Sequence, residues 1–428
     1  MIMAMMKNTG MLWIGQIPVD WELGKVKYAF NRKKEKSIEK DPIVLSLARA
    51  GVKIRDISTN EGQLAASYEG YNPVEPNDLL LNPMDLVSGA NCSISKVSGV
   101  ISPAYVNLRA KTGFEPRYYD YYFKTQYWNM GFFVHGKGVS FENRWTLNDA
   151  TLKDYYIPMP LLYEQQAIVD YLDEACSKID EIITEAKASI DEYKKLKQSV
   201  IFEAVTKGLD KNVEMKDSGV EWMGVIPKHW STPKLKYFTN ISSGGTPDRN
   251  HYEYWNGNVN WIKTGELQNN ELYDSEEKIS ELGVANSSAK LFKENTILIA
   301  MYGQGKTRGM TALLKVPCTT NQACAGIVMK SNSPYEIYYL WLTLQASYRA
   351  LREKAVGTGQ PNLSIGLLKD FYIPLPTLQE QKEVINFLKK VMPKYDSIIA
   401  EKESLINDLE AYKKSLIYEV VTGKRRVV

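Results

Sequence analysis

Cationic and amide side chains recur on glycine-containing segments of this sequence, and such side chains contact nucleic acid. Arg49, Lys53 and Arg55 follow one alternation along a segment that we expect to be extended, which puts them on one face. Asn321 and Gln322 carry amides of the kind that pair with adenine edges in the major groove. Further loop candidates for DNA contact are Lys137, Arg144, Thr246, Arg249, Gln304, Lys306 and Arg308. Each of these alone is explained equally well as a solvated loop residue, but together they favour DNA.

The segment Ala300–Thr307 follows a β-type run and resembles the second half of a phosphate-binding loop. Ala300 stands where such a loop has its first glycine, and Thr307–Thr311 is a poor start for the helix that would hold the phosphates. Two interpretations stay open. The segment is either a basic glycine-rich loop that approaches a DNA phosphate, or a plain turn with solvated Lys306 and Arg308.

The sequence lacks the motifs of common catalytic sites. Amino-group DNA methyltransferases need an Asn/Asp-Pro-Pro-aromatic motif, and its nearest approaches here are Asn72–Val74 and Asn82–Met84, which lack the second proline and the aromatic residue. Three histidines and four scattered cysteines form no pattern for a catalytic triad, a zinc site or a disulfide framework. We therefore expect a non-catalytic chain that holds no cofactor and no metal.

The chain contains an internal repeat. Trp13–Trp21 recurs as Trp222–Trp230, and Leu152–Pro160 recurs as Leu368–Pro376 with seven of nine residues identical. The regions between these segments share almost no similarity, and each repeat ends in a charged tail with helical periodicity. A repeated frame around divergent inserts indicates that the frame performs one shared task and the inserts perform two different ones.

Both tails predict long helices with a coiled-coil seam, because apolar residues alternate in steps of four and three. The predicted seams are Ile168, Leu172, Ala175, Ile179, Ile182, Ala186, Ser189, Tyr193, Leu196 and Val200, and then Val384, Leu388, Val391, Tyr395, Ile398, Lys402, Leu405, Leu409, Tyr412 and Leu416. Pro393 is expected to kink or break the second helix. Antiparallel pairing would bury both seams; the alternative is that each helix lies on its own domain.

The inserts predict mixed α/β structure. Helices are expected at Tyr335–Leu344 and after Arg117, and short β-type runs are Pro42–Leu47, Asp78–Leu81, Val259–Ile262 and Thr296–Ala300. The predicted fold class is α/β (mixed α+β), with two globular domains joined by two long helices in an antiparallel coiled coil and a pseudo-twofold internal repeat. The predicted boundaries are 1–160 for the first domain, 161–214 for the first helix and linker, 215–376 for the second domain, and 377–428 for the second helix.

Charge differs between these parts. The chain has 53 Lys+Arg against 50 Asp+Glu; each globular part has a net charge of +3, and the two helical parts together have −3. This distribution suits polyanion contact by the domains and protein contact by the helices. No run approaches the roughly 18 apolar residues of a membrane span, and we see no secretory signal, so we expect a cytoplasmic protein without membrane contact.

Motifs in both halves resemble the specificity subunits of type I restriction–modification systems. They are Trp222–Pro227 with Trp230, Ser243–Pro247, Trp255–Gly257 with Trp261, Gly357–Ser364, Ile373–Pro376 and Glu380–Gln381, and in the first half Asn82–Leu86, Ser102–Tyr105, Ile157–Pro160 and Glu164–Gln165. Through this resemblance Gln360 joins the DNA-contact candidates. Where the second half has Gly359–Pro361 the first has Asn143–Trp145, so this loop is not reproduced there.

The resemblance implies two target-recognition domains, each reading one half of a split, asymmetric site in double-stranded DNA. The helices would set the spacing of the half-sites and dock two adenine-N6 methyltransferase subunits, and a restriction/translocase subunit would join the complex. S-adenosylmethionine, ATP and Mg²⁺ would then sit on the partner subunits. The alternatives are a coiled-coil scaffold whose inserts bind protein, and a self-contained DNA methyltransferase or P-loop enzyme.

Overall fold

The computed structural model describes residues 5–39, 41–58, 65, 67–87, 89–138, 146–303, 305–355 and 362–427. The chain forms two compact units, one made of Met1–Lys187 with Glu403–Val428 and the other of Ala188–Lys402. Each unit contains one globular domain and parts of both long helices. The four-part division predicted above has other boundaries, because it keeps each long helix whole and the boundaries of the two units cut both helices. It stays a prediction.

The first unit is built mainly from antiparallel strands. Its strands are β1 (Met6–Asn8), β2 (Gln16–Pro18), β3 (Glu22–Lys25), β4 (Phe30–Lys33), β5 (Leu45–Ala48), β6 (Gly51–Ile54), β7 (Asn72–Val74), β8 (Leu79–Leu81), β9 (Cys92–Ile94), β10 (Gly99–Ile101), β11 (Val106–Ala110) and β12 (Tyr156–Met159). Its helices are α1 (Val26–Ala29), α2 (Pro116–Trp128), α3 (Gly131–His135), α4 (Asp149–Lys153) and the start of the long helix α5 (Leu162–Lys207).

The largest sheet of this unit has the order β4-β11-β8-β9 and is antiparallel throughout. Helix α2 lies against β8 and β9, and its buried residues include Tyr118, Tyr119, Tyr122 and Phe123. The aromatic residues of α2 therefore supply much of the core. Four antiparallel pairs complete the unit: β1 with β2, β3 with β12, β5 with β6, and β7 with β10.

The second unit has a mixed sheet. Its strands are β13 (Met215–Asp217), β14 (Val225–Pro227), β15 (Thr239–Ser243), β16 (Trp255–Ile262), β17 (Asn270–Leu272), β18 (Glu277–Ile279), β19 (Ile297–Ala300), β20 (Thr311–Leu314), β21 (Cys318–Thr320) and β22 (Cys324–Met329). Its helices are α6 (Glu281–Ala285), α7 (Ile337–Ala346), α8 (Tyr348–Glu353), α9 (Ile365–Lys369) and the start of the long helix α10 (Leu378–Val421), with short 3₁₀ helices at Leu235–Tyr237, Tyr252–Tyr254 and Thr264–Glu266.

The main sheet here has the order β15-β22-β19-β20-β17, with β17 and β20 parallel and the other pairs antiparallel. Strand β19 is buried on both faces: Ile297 and Ile299 pack in one core with α7, and Leu298 and Ala300 pack in a second core with Ile262. Burial on both faces explains the unbroken apolar run of β19 in the sequence. A three-stranded sheet, β18-β16-β21, lies beside it.

The predicted insert elements are confirmed. Each of the four β-type runs overlaps a strand, namely β5, β8, β16 and β19, and the two predicted helices correspond to α2 and α7. The mixed α/β fold class with two long helices is likewise confirmed.

The two long helices run antiparallel in each unit. In the first unit the side chain of Asp180 in α5 accepts from Lys413 of α10 at 2.6 Å, and Glu164 near the start of α5 meets Arg426 beyond the end of α10. In the second unit Lys197 pairs with Asp396, and Val205 near the end of α5 shares a core with Val384 near the start of α10. The antiparallel pairing predicted from the two tails is confirmed.

The buried seam of α5 differs from the predicted one at every second step. Ile182 and Leu196 are 46% and 49% exposed, whereas Ile183 and Ile190 are buried. The predicted and observed seams share Ile168, Leu172, Ile179 and Ala186. Between these shared positions Cys176 and Ile183 are buried in place of Ala175 and Ile182, and after them Ile190 is buried in place of Ser189. The observed set buries more apolar surface. Helix α10 shows the same shift, because Leu405 and Tyr412 are exposed and Ile399 and Ile406 are buried.

Helix α10 continues through Pro393, so the expected break does not occur. Proline lacks a backbone N–H, and its presence leaves the carbonyl of Lys389 without its usual helical donor. Packing against α5 on both sides of this turn supplies enough stabilisation to hold the helix together.

Asp149, in the first turn of α4, ties that helix to the segment that carries β4. Burial alone would raise its pKa, but a hydrogen bond from Lys34 at 2.7 Å and an ion pair with Arg32 at 2.5 Å outweigh burial and lower the pKa to about 2. A lowered carboxylate pKa stabilises the fold above the unfolded value and loses that contribution as the pH falls toward the folded value.

We expect Asp149→Asn to lower the free energy of unfolding by about 2 kcal/mol at pH 7. The deficit should shrink by about half at pH 3, because Asp149 protonates in the unfolded chain first. Urea denaturation of both proteins at the two pH values measures this. A deficit that is independent of pH would contradict the role of the Asp149 charge.

Candidate nucleic-acid interface

The repeated tryptophans anchor each globular domain to the start of a long helix. The indole N–H of Trp21 donates to Glu164 at 3.3 Å, and that of Trp230 donates to Glu380 at 3.0 Å. Burial alone would raise the pKa of Glu380, but hydrogen bonds from Trp230 and Thr377 outweigh it and lower the pKa. The frame thus places a carboxylate against a buried tryptophan at the same position in both units.

The repeated glutamine next in sequence makes a second matching contact. The side-chain carbonyl of Gln165 accepts from the backbone N–H of Glu115 at 2.8 Å, and Gln381 accepts from Glu336 at the same distance. Each glutamine amide also donates to the last proline carbonyl of the preceding Ile-Pro-x-Pro motif. These bonds fix the N-terminus of α2 or α7 relative to the start of the long helix.

A buried tyrosine in each domain holds the end of the other long helix. Tyr118 of α2 donates its hydroxyl to the carbonyl of Val421 at 2.8 Å, and Tyr339 of α7 donates to that of Val205 at 2.8 Å. Each domain therefore contacts the beginning of one long helix and the end of the other. Sequence reasoning missed these tyrosines; the available signal was a Tyr-Tyr pair near the start of each insert helix.

In the second unit several loops gather at one edge of the sheets. The pairs Ser243 with Ala325 and Ala300 with Cys324 show that β15 and β19 end where β22 begins. Three loops leave the sheets at this edge: 244–249, 301–310 without residue 304, and 321–323. We call these loops together the recognition edge. Hydrogen bonds join them, because Gly245 donates to Thr320 at 2.8 Å and Met301 donates to Ala323 at 2.8 Å.

The recognition edge brings together six of the candidate residues: Thr246, Arg249, Lys306, Arg308, Asn321 and Gln322. The hydroxyl of Thr246 donates to the side chain of Gln322, which lies 76 positions further along the chain. Asn321 beside it is anchored by its backbone N–H, which donates to Ile262 at 3.1 Å. An amide and a hydroxyl that hydrogen-bond at an exposed edge are a pair that can be presented to a base edge.

Arg249 belongs to the same edge but makes strong contacts within the unit. Its guanidinium lies 3.7 Å from the ring centroid of Trp255, and its Nη1 donates to Glu277 at 2.7 Å. The bond from Arg249, together with one from Lys263, lowers the pKa of Glu277. Arg249 therefore shapes this loop as well as carrying a charge.

The loop that contains Lys306 and Arg308 is held through its backbone by α8. Tyr348 donates to the carbonyl of Lys306 at 2.7 Å, and Arg352 donates to the carbonyl of Arg308 at 2.8 Å. The Lys306 side chain is exposed. The loop leads into strand β20 and not into a helix, so it lacks the helix N-terminus of a phosphate-binding P-loop, and the P-loop alternative is wrong.

In the first unit the cationic segment forms a β-hairpin of β5 and β6. Lys53 lies opposite Ser46 and is exposed, whereas Val52 lies opposite the buried Leu47. Arg55 continues beyond β6 and is half-buried. Arg49 sits in the turn, so the extended alternation predicted from Arg49 to Arg55 applies only after that turn.

Of the remaining candidates, the structure describes only Lys137. Lys137 is exposed and pairs through its backbone with Thr146. Arg144, Gln304 and Gln360 lie outside the described residues. A backbone hydrogen bond to the globular domain follows each of the segments that carry Arg144 and Gln360. The N–H of Leu147 donates to the carbonyl of Pro83 at 2.8 Å, and the N–H of Leu363 donates to the carbonyl of Met301 at 3.0 Å.

The described part of the chain contains neither a cluster of metal-ligating side chains nor a helix that could span a membrane. Among these residues, no group of three or more His, Cys, Asp or Glu side chains could hold a metal ion. None of the described helices is long and apolar enough to cross a membrane.

Comparisons with known proteins agree with the repeated architecture. The model of the type I restriction modification DNA specificity domain matches residues 93–192 and 227–410. The MjaIX specificity subunit of Methanocaldococcus jannaschii is 32% identical over 46% of this chain, and that alignment spans 44% of the relative, a little under half of its length. The MjaVIII specificity subunit of the same organism is 24% identical over 96% of this chain and 94% of its own length.

A solved chain from a type I R-M system has the same fold. It superposes with a TM-score of 0.70 at 13% identity, covering 95% of this chain and 98% of that one. The family model matches one segment in each repeat, and these segments include most of α5 and of α10. The chain therefore belongs to the type I restriction–modification DNA specificity family and is a specificity subunit.

Proposed function

We propose that each unit reads one half of a bipartite, asymmetric site in double-stranded DNA. One observation carries the proposal: the Trp–Glu, Gln–backbone and Tyr–carbonyl contacts are the same in both units, while the loops they support differ in sequence. Two domains that read different half-sites need to be held on the helices in the same way and to carry different loops, and both conditions are met here. Linking two such readers raises their joint affinity through effective concentration.

The proposed division of labour among the candidates follows from their exposure. Lys53 and Lys306 are exposed cations, which suit phosphate contact. The Thr246–Gln322 pair suits a base edge. Arg249 would support its loop and meet the backbone of the DNA. The other candidates, Arg49, Arg55, Lys137, Arg144, Gln304, Arg308, Asn321 and Gln360, are assigned to the same two interfaces.

The long helices would set the distance between the half-sites and dock two adenine-N6 methyltransferase subunits, with a restriction/translocase subunit joining the complex. Support comes from the outer faces of the helices, where Ile182, Leu196, Leu405 and Tyr412 are exposed although they are apolar or aromatic. Exposed apolar side chains at regular helical spacing fit a protein partner.

In this proposal the chain itself is non-catalytic and binds no cofactor. S-adenosylmethionine, ATP and Mg²⁺ bind to the partner subunits, and the expected cytoplasmic location stays a prediction. Resemblance to specificity subunits supports this division of roles.

The experiment that tests the proposal is sequencing of modified adenines in host DNA, with and without this gene. We expect a split, non-palindromic methylated motif that disappears on deletion and returns on complementation. An unchanged methylation pattern in a host that expresses the chain and its methyltransferase would contradict the proposal.

Separate charge removals are expected to affect separate half-sites. In the assembled methyltransferase, Lys53→Ala should reduce hydroxyl-radical protection at one half-site and Lys306→Ala at the other. Each lost phosphate contact should reduce the slope of log affinity against log salt by about 0.9. Lys216→Ala, at an exposed lysine of β13 outside the recognition edge, is the matched control. Equal loss at both half-sites from either variant would refute two independent readers.

A further inference from the structure

A surface cluster of two lysines, two tyrosines and one aspartate occurs in each unit. We call these the Lys–Tyr clusters. The first cluster is Lys25, Lys27, Tyr28, Asp154 and Tyr156, and the second is Lys234, Lys236, Tyr237, Asp370 and Tyr372.

The two clusters have nearly the same geometry. Asp154 lies 2.7 Å from Lys27 and 3.4 Å from Lys25, and the ammonium of Lys25 is 5.5 Å from the centroid of the Tyr156 ring. The corresponding distances in the second cluster are 2.7 Å for Asp370 to Lys236, 3.3 Å for Asp370 to Lys234, and 5.3 Å for Lys234 to Tyr372.

Exposure is also matched between the clusters. The side chains of Asp154 and Asp370 are 55% and 56% exposed. Tyr28 and Tyr237 are 56% and 59% exposed. Because exposed ion pairs contribute only about 0–1 kcal/mol to folding, the fold gains little from keeping these residues.

In the Lys-x-Lys-Tyr segment of each cluster, interior neighbours have changed where the exposed members have not. Lys-x-Lys-Tyr is retained, while the buried Val26 corresponds to Leu235 and the buried Ala29 corresponds to Phe238. Packing constraints act on interior residues, so they would produce the reverse pattern. An external partner that meets the same surface in both units accounts for the retention.

The clusters lie at the far end of the strands from the proposed DNA contacts. In the second unit β15 runs from Thr239, two residues after Tyr237, to Ser243 at the recognition edge, about 13 Å away at 3.3 Å per residue. In the first unit the backbone carbonyl of Lys27 accepts from the Lys111 ammonium at the Phe30 end of β4. The loop between β8 and β9, where Gly89 lies beside the candidate Arg49, leaves from the other end of the sheet.

We propose that the two Lys–Tyr clusters are equivalent docking sites for one kind of protein subunit that binds in two copies, one to each unit. The inference rests on the proposed function, in which the methyltransferase subunit is such a partner. Each cluster has two ammonium groups and one carboxylate, a net charge of +1, together with phenol hydroxyls that can donate. The facing surface of the partner therefore carries carboxylates. Tyrosine suits such a contact, because it is enriched at protein interfaces.

The test uses the full chain mixed with its methyltransferase subunit, with stoichiometry measured by native mass spectrometry. The variant Lys27→Glu with Tyr28→Ala should bind one copy, as should Lys236→Glu with Tyr237→Ala. Combining all four changes should remove both copies or weaken binding at least tenfold. The matched control is Lys216→Glu with Tyr252→Ala, which makes the same changes at exposed residues outside the clusters and should keep both copies.

Thermal unfolding of each variant shows whether the chain remains folded, and DNA affinity of the chain alone is measured in parallel. Two bound copies on the folded four-change variant overturn the docking inference and leave the proposed function intact. Loss of DNA affinity with both copies retained assigns the clusters to DNA and also overturns the inference. Failure of the unaltered chain to bind any methyltransferase subunit overturns both.

Discussion

Replacing Trp230 by alanine is expected to lower the free energy of unfolding of the second unit by about 3–5 kcal/mol. Trp230 is fully buried and packs with Met223 and Ile226. Its removal leaves a cavity and takes away the indole donor of Glu380, a carboxylate that is only partly exposed. Both effects act at the point where the domain joins α10.

Urea denaturation followed by far-ultraviolet circular dichroism measures this loss without relying on tryptophan fluorescence. Trp230→Phe keeps most of the apolar volume and removes the N–H, so its expected cost is about 1–2 kcal/mol. Tyr252→Ala, at a highly exposed residue, is the control and should change stability by less than about 0.5 kcal/mol. A loss below 1 kcal/mol for Trp230→Ala would show that the contact between Trp230 and Glu380 does not stabilise the second unit.

Gly423→Ala is expected to cost about 3 kcal/mol in the first unit, a sum of two effects. Gly423 ends α10 with φ of +68°, in the left-handed region that favours glycine. A Cβ atom there would also lie 2.5 Å from two ring carbons of Pro18 and 3.1 Å from Trp21, so the repeated Trp/Pro segment would have to move.

Gly219→Ala separates the two effects. Gly219 has φ of +70°, and a Cβ atom there would meet nothing within 4 Å, so only the backbone cost of about 1 kcal/mol is expected. Gly208→Ala at the end of α5 should fall between them, because the nearest atom is the Trp230 ring at 3.2 Å. Equal losses at Gly219 and Gly423 in thermal or urea unfolding would contradict the packing of the helix end on the frame.

Several features of the protein were readable in the sequence because they are local or periodic. The repeated Trp/Pro and Ile-Pro-x-Pro segments, the strand runs such as β19, and the four-three spacing of the tails depend on neighbouring residues. They predicted the mixed α/β fold, the two long antiparallel helices and the family. They also predicted that two unlike inserts are mounted on one kind of frame.

Other features depend on residues that are distant in sequence, so local patterns could not reveal them. Which of two adjacent stripes of α5 is buried was decided by packing, which exposed Ile182 and buried Ile183. Arg49 lies in the hairpin turn and so does not share the strand alternation of Lys53. The guanidinium of Arg249 lies over the rings of Trp255 and Trp261.

The same reason applies to the proposed sites. Thr246 meets Gln322 only because β15, β19 and β22 end or begin at one edge, and Lys27 meets Asp154 only because β3 pairs with β12. The sequence carried the residue types and their duplication. Chain crossings between distant strands decided which of these residues share a surface, because side chains far apart in sequence become neighbours only through tertiary pairing.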